Sequence, residues 1–208
     1  KAGKMKIRYL GHSSFYIAGD EKSVVTDPFD GIGYEMERVN ADYCTVSHEH
    51  FDHNATDKVN AKKIITHAED GFLAIDTYHD ANLGKLRGKN TVFKFTVDGV
   101  TFCHLGDIGE YYSDVLCEEI GKVDVLFIPV GGNYTIDGKV AARFAQGLHA
   151  AITVPMHYKT PRSDIDISGA EDFLKRMPNV IRVGSEMELT KESLPCEPAV
   201  CVFDDDKF

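Results

Sequence analysis

The chain has 208 residues, 43% hydrophobic and 27% charged, which is the composition of an ordinary folded protein with one sizeable buried core. Its formal net charge of -10 argues against an extended nucleic-acid surface, because such a surface needs basic residues to neutralise phosphates. No apolar run approaches the roughly twenty residues that a membrane-spanning helix requires. We therefore expect a small-molecule substrate, no membrane partner and no nucleic acid.

The five cysteines, at positions 44, 103, 117, 196 and 201, show no C-x-x-C pairing. Cys44 and Cys103 lie in apolar, strand-like runs, so we expect buried free thiols in a reducing compartment. Cys196 and Cys201, near the C-terminus, are the one pair of cysteines that could have a role other than that of buried free thiols. Because no export-signal pattern is visible, a cytoplasmic location is expected.

Short strands and turns dominate the first part of the chain. Alternating and β-branched apolar residues predict strands at residues 5–10, 15–17 and 24–26. The last two form a hairpin around Gly19, which Asp27 and Pro28 close. A glycine-punctuated connection follows at residues 31–40.

The densest group of candidate ligands lies between Ser47 and His53, directly after the apolar run at residues 43–46. Its core has the spacing His48-x-His50-x-Asp52-His53. On an extended strand end, side chains two residues apart leave the same face, so His48 and His50 can hold one ion. Asp52 and His53 follow where the chain turns and can point at a second ion. Imidazole with some carboxylate suits zinc first, and manganese or iron second.

After this cluster we expect a short helix to about Ala61, and then strands at residues 63–66, 72–78, 91–97 and 100–103. The last two strands form a hairpin around Gly99. His67 is expected to be structural or exposed. Gly106 and Gly109, on either side of Asp107, allow other groups to come close to the backbone there.

The second half alternates strands and helices. Ser113, Asp137 and Ser168 are predicted to cap helices that end near Ile120, Leu148 and Met177. Strands are predicted at residues 123–128, 151–156, 180–183 and 187–190, and the aspartates at 204–206 are expected to form a solvated tail. Early hairpins and later strand–helix alternation imply an α/β fold with two sheets flanked by helices, in one domain spanning residues 1–208.

Several polar residues follow directly after the ends of predicted strands. His79, Asp107 and His157 do so, as His48 does, and sites in layered α/β folds are commonly assembled at strand ends. His12 either lines the metal pocket or is a structural histidine. Asp27 either accepts a hydrogen bond from a ligand imidazole or caps its strand.

The cluster resembles the His-x-His-x-Asp-His motif of the metallo-β-lactamase superfamily of binuclear metal hydrolases. His79, the pair Gly106-Asp107 and His157 occupy, in order, the places of that superfamily's later ligands. Residues 9–15 and 129–132 further resemble the branch that includes ascorbate-6-phosphate lactonase. The resemblance covers residues 5–157 and implies a four-layer αββα sandwich of two mixed sheets flanked by helices.

The resemblance implies a ligand set for two divalent ions. One ion is held by His48, His50 and His79. The other is held by Asp52, His53 and His157, with Asp107 between the two ions. His104 is the alternative third ligand of the first ion, but we prefer His79, because Asp107 is itself an expected ligand and His104 then serves as its neighbour.

The implied activity is metal-dependent, in the first place zinc-dependent, hydrolysis of a small ester-type substrate, a lactone or a phosphoester. Two ions about 3.5 to 4 Å apart can lower the pKa of a shared water and present hydroxide to a carbonyl or phosphorus. Asp107 would bridge the ions and Asp52 would orient the hydroxide. His12 is a candidate proton donor to the leaving group, with His104, Tyr134 or a water as alternatives.

Three other functions remain open. A phosphodiesterase or nuclease of the same superfamily is opposed by the net charge and by the lack of a long basic insertion. A binuclear iron redox protein is opposed by His50, because such relatives typically carry glutamate at that position. A metal-binding scaffold with little turnover is the third, since fold does not imply function.

Overall fold

A computed structural model describes residues 3–204. The strands of its first half are β1 (Met5–Gly11), β2 (Ser14–Ala18), β3 (Ser23–Thr26), β4 (Val39–Thr45), β5 (Val59–Ile65), β6 (Leu73–Tyr78), β7 (Lys89–Val97) and β8 (Val100–His104). Those of its second half are β9 (Val125–Pro129), β10 (Ile152–Met156), β11 (Val180–Arg182), β12 (Glu186–Leu189) and β13 (Ala199–Val202). The helices are α1 (Asp114–Ile120), α2 (Gly138–Leu148) and α3 (Glu171–Leu174).

The strands form two mixed sheets, as the sequence predicts. One has the order β12-β1-β2-β3-β4-β5 and the other the order β11-β13-β10-β9-β8-β7-β6. In the first sheet β1, β2 and β3 are antiparallel, whereas β4 and β5 continue parallel to β3. In the second sheet β8 to β11 and β13 run parallel, and the hairpins of β6, β7 and β8 complete it. The carboxyl ends of β1, β3 and β4 therefore share one edge, as do those of β6, β8 and β10.

The core between the sheets is rich in phenylalanine. Phe15 of β2 and Phe127 of β9 are fully buried, and their ring centroids lie 4.4 Å apart across the two sheets. Phe95 and Phe102 extend the same layer, with centroids 5.6 Å apart. Burying one such side chain contributes about 1.5–3 kcal/mol, so this layer holds the sheets together.

The outer faces of the two sheets are covered differently. Helices α1 and α2 pack on the second sheet, where Phe144 and Leu148 meet Leu126 and Ile128 of β9. On the first sheet, the connection before β4 supplies the cover, through the buried residues Phe29, Ile32 and Met36. Helices thus flank one sheet within residues 3–204, and an irregular segment covers the other.

The sequence prediction of a helix after the ligand cluster is wrong. Thr56–Lys58 forms one turn of 3₁₀ helix, and the chain then enters strand β5. Val59 pairs with Val39 and Ile65 with Thr45, so β5 extends the sheet in parallel with β4. This long-range pairing and the β-branched residues outweigh the local helical tendency.

The C-terminal region differs from the sequence prediction in two respects. Helix α3 is one turn long, and its N-cap is Ala170 with no side-chain hydrogen bond, so Ser168 is not the cap. The N–H of Ser168 instead donates to the carbonyl of Gly131. Strand β13, which the sequence analysis did not predict as a strand, lies between β10 and β11 and is buried throughout.

Other predictions are confirmed. Ser113 and Asp137 cap α1 and α2 by accepting from the N–H groups of Leu116 and Val140. All five cysteines are free thiols; Cys201 is buried and Cys196 is exposed. His67 is exposed.

The N–H of Asp204 donates to the carbonyl of Gly184, and the aspartates at positions 205 and 206 lie outside the described residues. None of the helices in residues 3–204 has the length and apolar character needed to cross a membrane.

Candidate metal centre

The strand ends of the two sheets meet at one edge of the sandwich. Two backbone hydrogen bonds join the sheets there, from Thr91 N to Ser47 O at 2.8 Å and from His157 N to His12 O at 3.3 Å. The polar side chains that follow the strands are thereby gathered in one place. They are His12 after β1, Asp27 after β3, residues 47–53 after β4, His79 after β6, Asp107 after β8 and His157 after β10.

Three histidines form the first candidate ligand group. The ring centroids of His48 and His50 lie 4.6 Å apart, and His79 lies 4.7 Å from His48 and 5.1 Å from His50. One nitrogen from each ring falls within 4.8 Å of the other two. The residues that the resemblance assigns to one ion therefore lie together.

The second group consists of His12, Asp52, His53 and His157, whose candidate ligand atoms also lie within 4.8 Å of one another. Oδ2 of Asp52 is 3.2 Å from Nε2 of His53 and 3.8 Å from Nε2 of His157. It is 3.0 Å from Nε2 of His12, which is 1% exposed at its side chain. His12 thus lies within the second candidate group and is hydrogen-bonded to Asp52.

Asp107 lies between the two groups. Its Oδ2 is 2.9 Å from Nε2 of His53 and 3.3 Å from Nε2 of His157, in the second group. In the first group it is 3.0 Å from Nε2 of His79 and 3.4 Å from Nε2 of His48. One carboxylate oxygen is therefore surrounded by four imidazole nitrogens from both groups.

These short contacts are not hydrogen bonds. The Nε2 atoms of the four histidines are buried and have no hydrogen-bond partner, and Oδ1 of Asp107 has none either. A buried polar atom without a partner costs about 1–3 kcal/mol, so such a cluster is unfavourable unless a ligand binds it. Imidazole nitrogen and carboxylate oxygen are the donors that zinc and related divalent ions prefer. The donor set fits divalent metal ions.

Asp27 and Ser47 set the orientation of two of the ligand rings. Asp27 accepts hydrogen bonds from Nδ1 of His53 at 2.8 Å and from the Ser47 hydroxyl at 2.6 Å. Because that hydroxyl donates its proton to Asp27, it accepts a hydrogen bond from Nδ1 of His48, 2.8 Å away. Both rings then carry their proton on Nδ1, which leaves the Nε2 lone pair free for a metal.

His104 is placed differently from His79. Its Nε2 donates to the carbonyl of Ser13 at 2.9 Å, and its Nδ1 accepts from the N–H of Gly106 at 3.1 Å. Both ring nitrogens are engaged by backbone, so neither is available to an ion. Both nitrogens of His79 lack a hydrogen-bond partner. His79 thus lies in the candidate group with His48 and His50, and His104 lies outside it.

The charges of the site act strongly on one another. Burial raises the pKa of Asp107, but the rings of His157 and His53 outweigh burial and hold this pKa well below its usual range. Burial lowers the pKa of His157, yet Asp107 raises it to about 9. For His12, burial and the neighbouring His157 lower the pKa to about 4, so its ring is neutral near pH 7. A neutral His12 donates from Nε2 to Asp52.

Three site residues that are not glycine adopt left-handed backbone conformations. They are His12, Asp27 and His157, with φ values of 52°, 35° and 54°. Each follows the end of a strand, where this conformation turns the chain and aims the side chain into the site. Such conformations cost on the order of 1–3 kcal/mol each and tend to cluster at functional sites.

Asn90 supports the site and was missed by the sequence analysis. Its Oδ1 accepts from the N–H of Asp107 at 2.9 Å, and its Nδ2 donates to the carbonyl of Leu105 at 2.9 Å. The amide is 1% exposed and fixes the turn that carries Asp107. A lone asparagine at the start of a strand has no sequence pattern that reveals this role.

A cavity of about 590 Å³ opens beside the ligand groups. Its wall includes the ligand residues His50, Asp52, His79 and Asp107, together with Phe51, Arg87, Tyr134, Asp164 and Asp166. The cavity is of the size that binds small molecules. A substrate in it would lie against the metal ligands.

Comparisons with known proteins agree with this geometry. The beta-lactamase superfamily domain family matches residues 6–157. A UPF0173 metal-dependent hydrolase from Geobacillus sp. is 31% identical, over 89% of this chain and 100% of its own length. One from Pyrococcus abyssi is 28% identical, with the same coverage of 89% and 100%.

A crystal structure from Thermotoga maritima, described as a candidate zinc-dependent hydrolase of the metallo-β-lactamase superfamily, is also similar. It is 38% identical, with a TM-score of 0.78, and the match covers 96% of this chain and 98% of that one. The family match spans both candidate ligand groups, from His12 to His157. The chain therefore belongs to the UPF0173 family of metal-dependent hydrolases, within the metallo-β-lactamase superfamily.

Proposed function

We propose that this protein is a binuclear metal hydrolase, with zinc as the first choice of metal, that cleaves a small ester-type substrate, a lactone or a phosphoester. The observation that carries the proposal is the position of Asp107, whose Oδ2 lies within 3.4 Å of imidazole nitrogens from both ligand groups. One carboxylate between two sets of three donors can serve two neighbouring divalent ions.

Two sets of residues would hold the ions. His48, His50 and His79 form one set, Asp52, His53 and His157 form the other, and Asp107 serves both. When bound, two such ions supply a water of lowered pKa and polarise the oxygen of the scissile group. Zinc is favoured because imidazole nitrogen dominates the donors, and manganese or iron remain alternatives.

The chain's own residues would act on the water and the substrate as follows. Asp52 is half-buried and faces the cavity, so its carboxylate orients the attacking water. His12 holds this carboxylate in place through the 3.0 Å hydrogen bond from Nε2. His12 is 3% exposed, which leaves Tyr134, on the cavity wall and 38% exposed, better placed to donate a proton to a leaving group.

Several features support a small ester as the substrate. The cavity volume of about 590 Å³ suits a small molecule rather than a polymer. The net charge of -10 weakens the case for a nuclease. Residues 9–15 and 129–132 resemble the ascorbate-6-phosphate lactonase branch, which supports a lactone or a phosphoester.

A substrate screen tests this proposal. Metal-loaded protein is assayed against lactones, phosphomonoesters, phosphodiesters and short RNA, beside chelator-treated protein and the Asp107→Ala variant. We expect turnover of a lactone or a phosphoester that chelation and Asp107→Ala both abolish. Cleavage of RNA alone would favour the nuclease alternative. Equal hydrolysis by the metal-free protein would contradict the proposed chemistry.

A further inference from the structure

We propose that Arg87 is an anion-binding residue of the cavity, and that the substrate carries one carboxylate or phosphate group that pairs with its guanidinium. This inference rests on the proposed hydrolase function and adds the charge of the substrate to it. The anionic group would lie apart from the bond that the metal site cleaves. Arg87 and the ligand residues His50, His79 and Asp107 line one and the same cavity.

The backbone of Arg87 is fixed relative to the metal ligands. Asp80, next to His79, accepts four backbone hydrogen bonds within the loop that leads from β6 to β7. They come from the N–H groups of Asn82 at 2.7 Å, Gly84 at 3.0 Å, Leu86 at 3.0 Å and Arg87 at 2.8 Å. The N–H of His79 donates to Gly88 O at 3.0 Å and closes the loop. Arg87 is therefore presented at a set place beside His79.

The guanidinium of Arg87 is oriented but not neutralised. It lies over the ring of Tyr134, 5.5 Å from the centroid, and Tyr134 is also part of the cavity wall. Within residues 3–204, no carboxylate forms an ion pair with Arg87, and its side chain makes no hydrogen bond. By contrast, Arg176 pairs with Asp172. The five N–H donors of Arg87 remain free, in the fork geometry that suits carboxylate and phosphate.

The charges of the cavity wall limit the anion to a small one. Arg87 is the only lysine or arginine on this wall among the described residues, whereas Asp164 and Asp166 lie there exposed. One anionic group can pair with Arg87, but a polyanion would also meet these two carboxylates. The wall therefore favours a small molecule with a single carboxylate or phosphate over a nucleic acid.

The inference is tested by anion binding to the metal-loaded protein. Glutarate and inorganic phosphate serve as the carboxylate and phosphate probes, and calorimetry compares wild type with Arg87→Gln and Arg87→Lys. Arg143→Gln is the matched control, because Arg143 also lies over a tyrosine, 4.3 Å from the Tyr112 centroid, on helix α2. Metal content and hydrolysis of neutral 4-nitrophenyl butyrate are measured on the same samples.

We expect Arg87→Gln to weaken binding of at least one probe about tenfold or more, as loss of a charge-assisted pair implies. The affinity of Arg87→Lys for the probe should lie between those of wild type and Arg87→Gln. The affinity of Arg143→Gln should match that of wild type within about twofold. The more affected probe identifies the group as carboxylate or phosphate. Equal binding by wild type and Arg87→Gln, or no binding of either probe by wild type, overturns the inference. If wild type binds no metal or does not hydrolyse the neutral ester, that result would instead count against the proposed function.

Discussion

His104 donates a hydrogen bond from Nε2 to the carbonyl oxygen of Ser13, 2.9 Å away, although the two residues are 91 positions apart in the sequence. Its Nδ1 accepts from Gly106 N at 3.1 Å. Because Ser13 adjoins His12 and Gly106 adjoins Asp107, one buried ring connects the two sheets at the site. It leaves no ring nitrogen for a metal ion.

This relationship predicts different effects of two alanine substitutions. His79→Ala should remove a ligand and lower the metal content from about two ions per chain towards one. His104→Ala should disturb the site but retain more metal, because it removes a connection between backbone segments. Metal analysis of both purified variants decides the point. A larger loss of metal from His104→Ala would contradict the assignment of His79.

The carboxylate of Asp27 should control metal affinity without touching the ion. Asp27→Asn replaces an acceptor of the His53 Nδ1–H with a group that can present a donor, so the ring loses its fixed tautomer. Loss of such a partner typically weakens metal binding 10- to 100-fold, on the order that competition with a chelating dye resolves.

Asp42→Asn provides the matched control for Asp27. Asp42 likewise accepts from the N–H and hydroxyl of a serine, Ser23, at 2.9 and 3.2 Å, between β3 and β4. It is not part of either ligand group. We expect unchanged metal affinity for Asp42→Asn, and equal weakening by the two variants would refute a specific role of Asp27.

The stability that Asp80 contributes to the loop presenting Arg87 should depend on pH. Burial raises the pKa of this carboxyl, but the amides of Arg87, Asn82, Leu86 and Gly84 outweigh it and lower the pKa below its usual value. With the folded pKa below the unfolded value of about 3.9, the stabilisation is complete above about pH 5 and is lost as the pH falls below about 4.

Urea unfolding of wild type and Asp80→Asn across this range measures the effect. The difference in unfolding free energy should be constant above about pH 5 and shrink at lower pH, since other titrating groups cancel between the two proteins. A difference that grows on acidification would contradict the hydrogen-bonded role of Asp80.

Gly109 should be required for the position of His79. A Cβ atom at Gly109 would lie 2.4 Å from the carbonyl oxygen of His79 and 2.6 Å from the N of Asp80, so the backbone must shift. We expect Gly109→Ala to destabilise the protein by about 1–3 kcal/mol and to release metal. Gly71→Ala is the control, because its Cβ meets nothing within 4 Å and only its φ of +83° is unfavourable. Metal retention by Gly109→Ala would show that metal binding does not need the close packing of Gly109 against the backbone of His79.

Much of the fold could be predicted because its signals are local. The alternation of Met5–Gly11 and the hairpin turn at Gly99 depend on neighbouring residues, as do the caps Ser113 and Asp137. The first half of β5 and strand β13 depend instead on parallel pairing with distant partners. Ala199 lies opposite Ile152, and no local pattern records that contact.

The candidate site divides in the same way. The spacing of His48, His50, Asp52 and His53 is a sequence pattern, and the residues at strand ends could be placed near it from the architecture of layered folds. Of the other residues near the site, Asp27 could be named as a possible acceptor, but Asn90 and Arg87 could not, because they reach the site through tertiary contacts alone. The left-handed conformation of His157 likewise leaves no trace in its residue type.

Metal content, measured together with hydrolysis for wild type and Asp107→Ala, tests the binuclear site most directly. Protein purified without chelator should contain about two divalent ions per chain, and Asp107→Ala should lose metal and hydrolysis together, because its carboxylate serves both ligand groups. A single ion in the active wild type, or full hydrolysis by Asp107→Ala, would contradict a binuclear centre bridged by this residue.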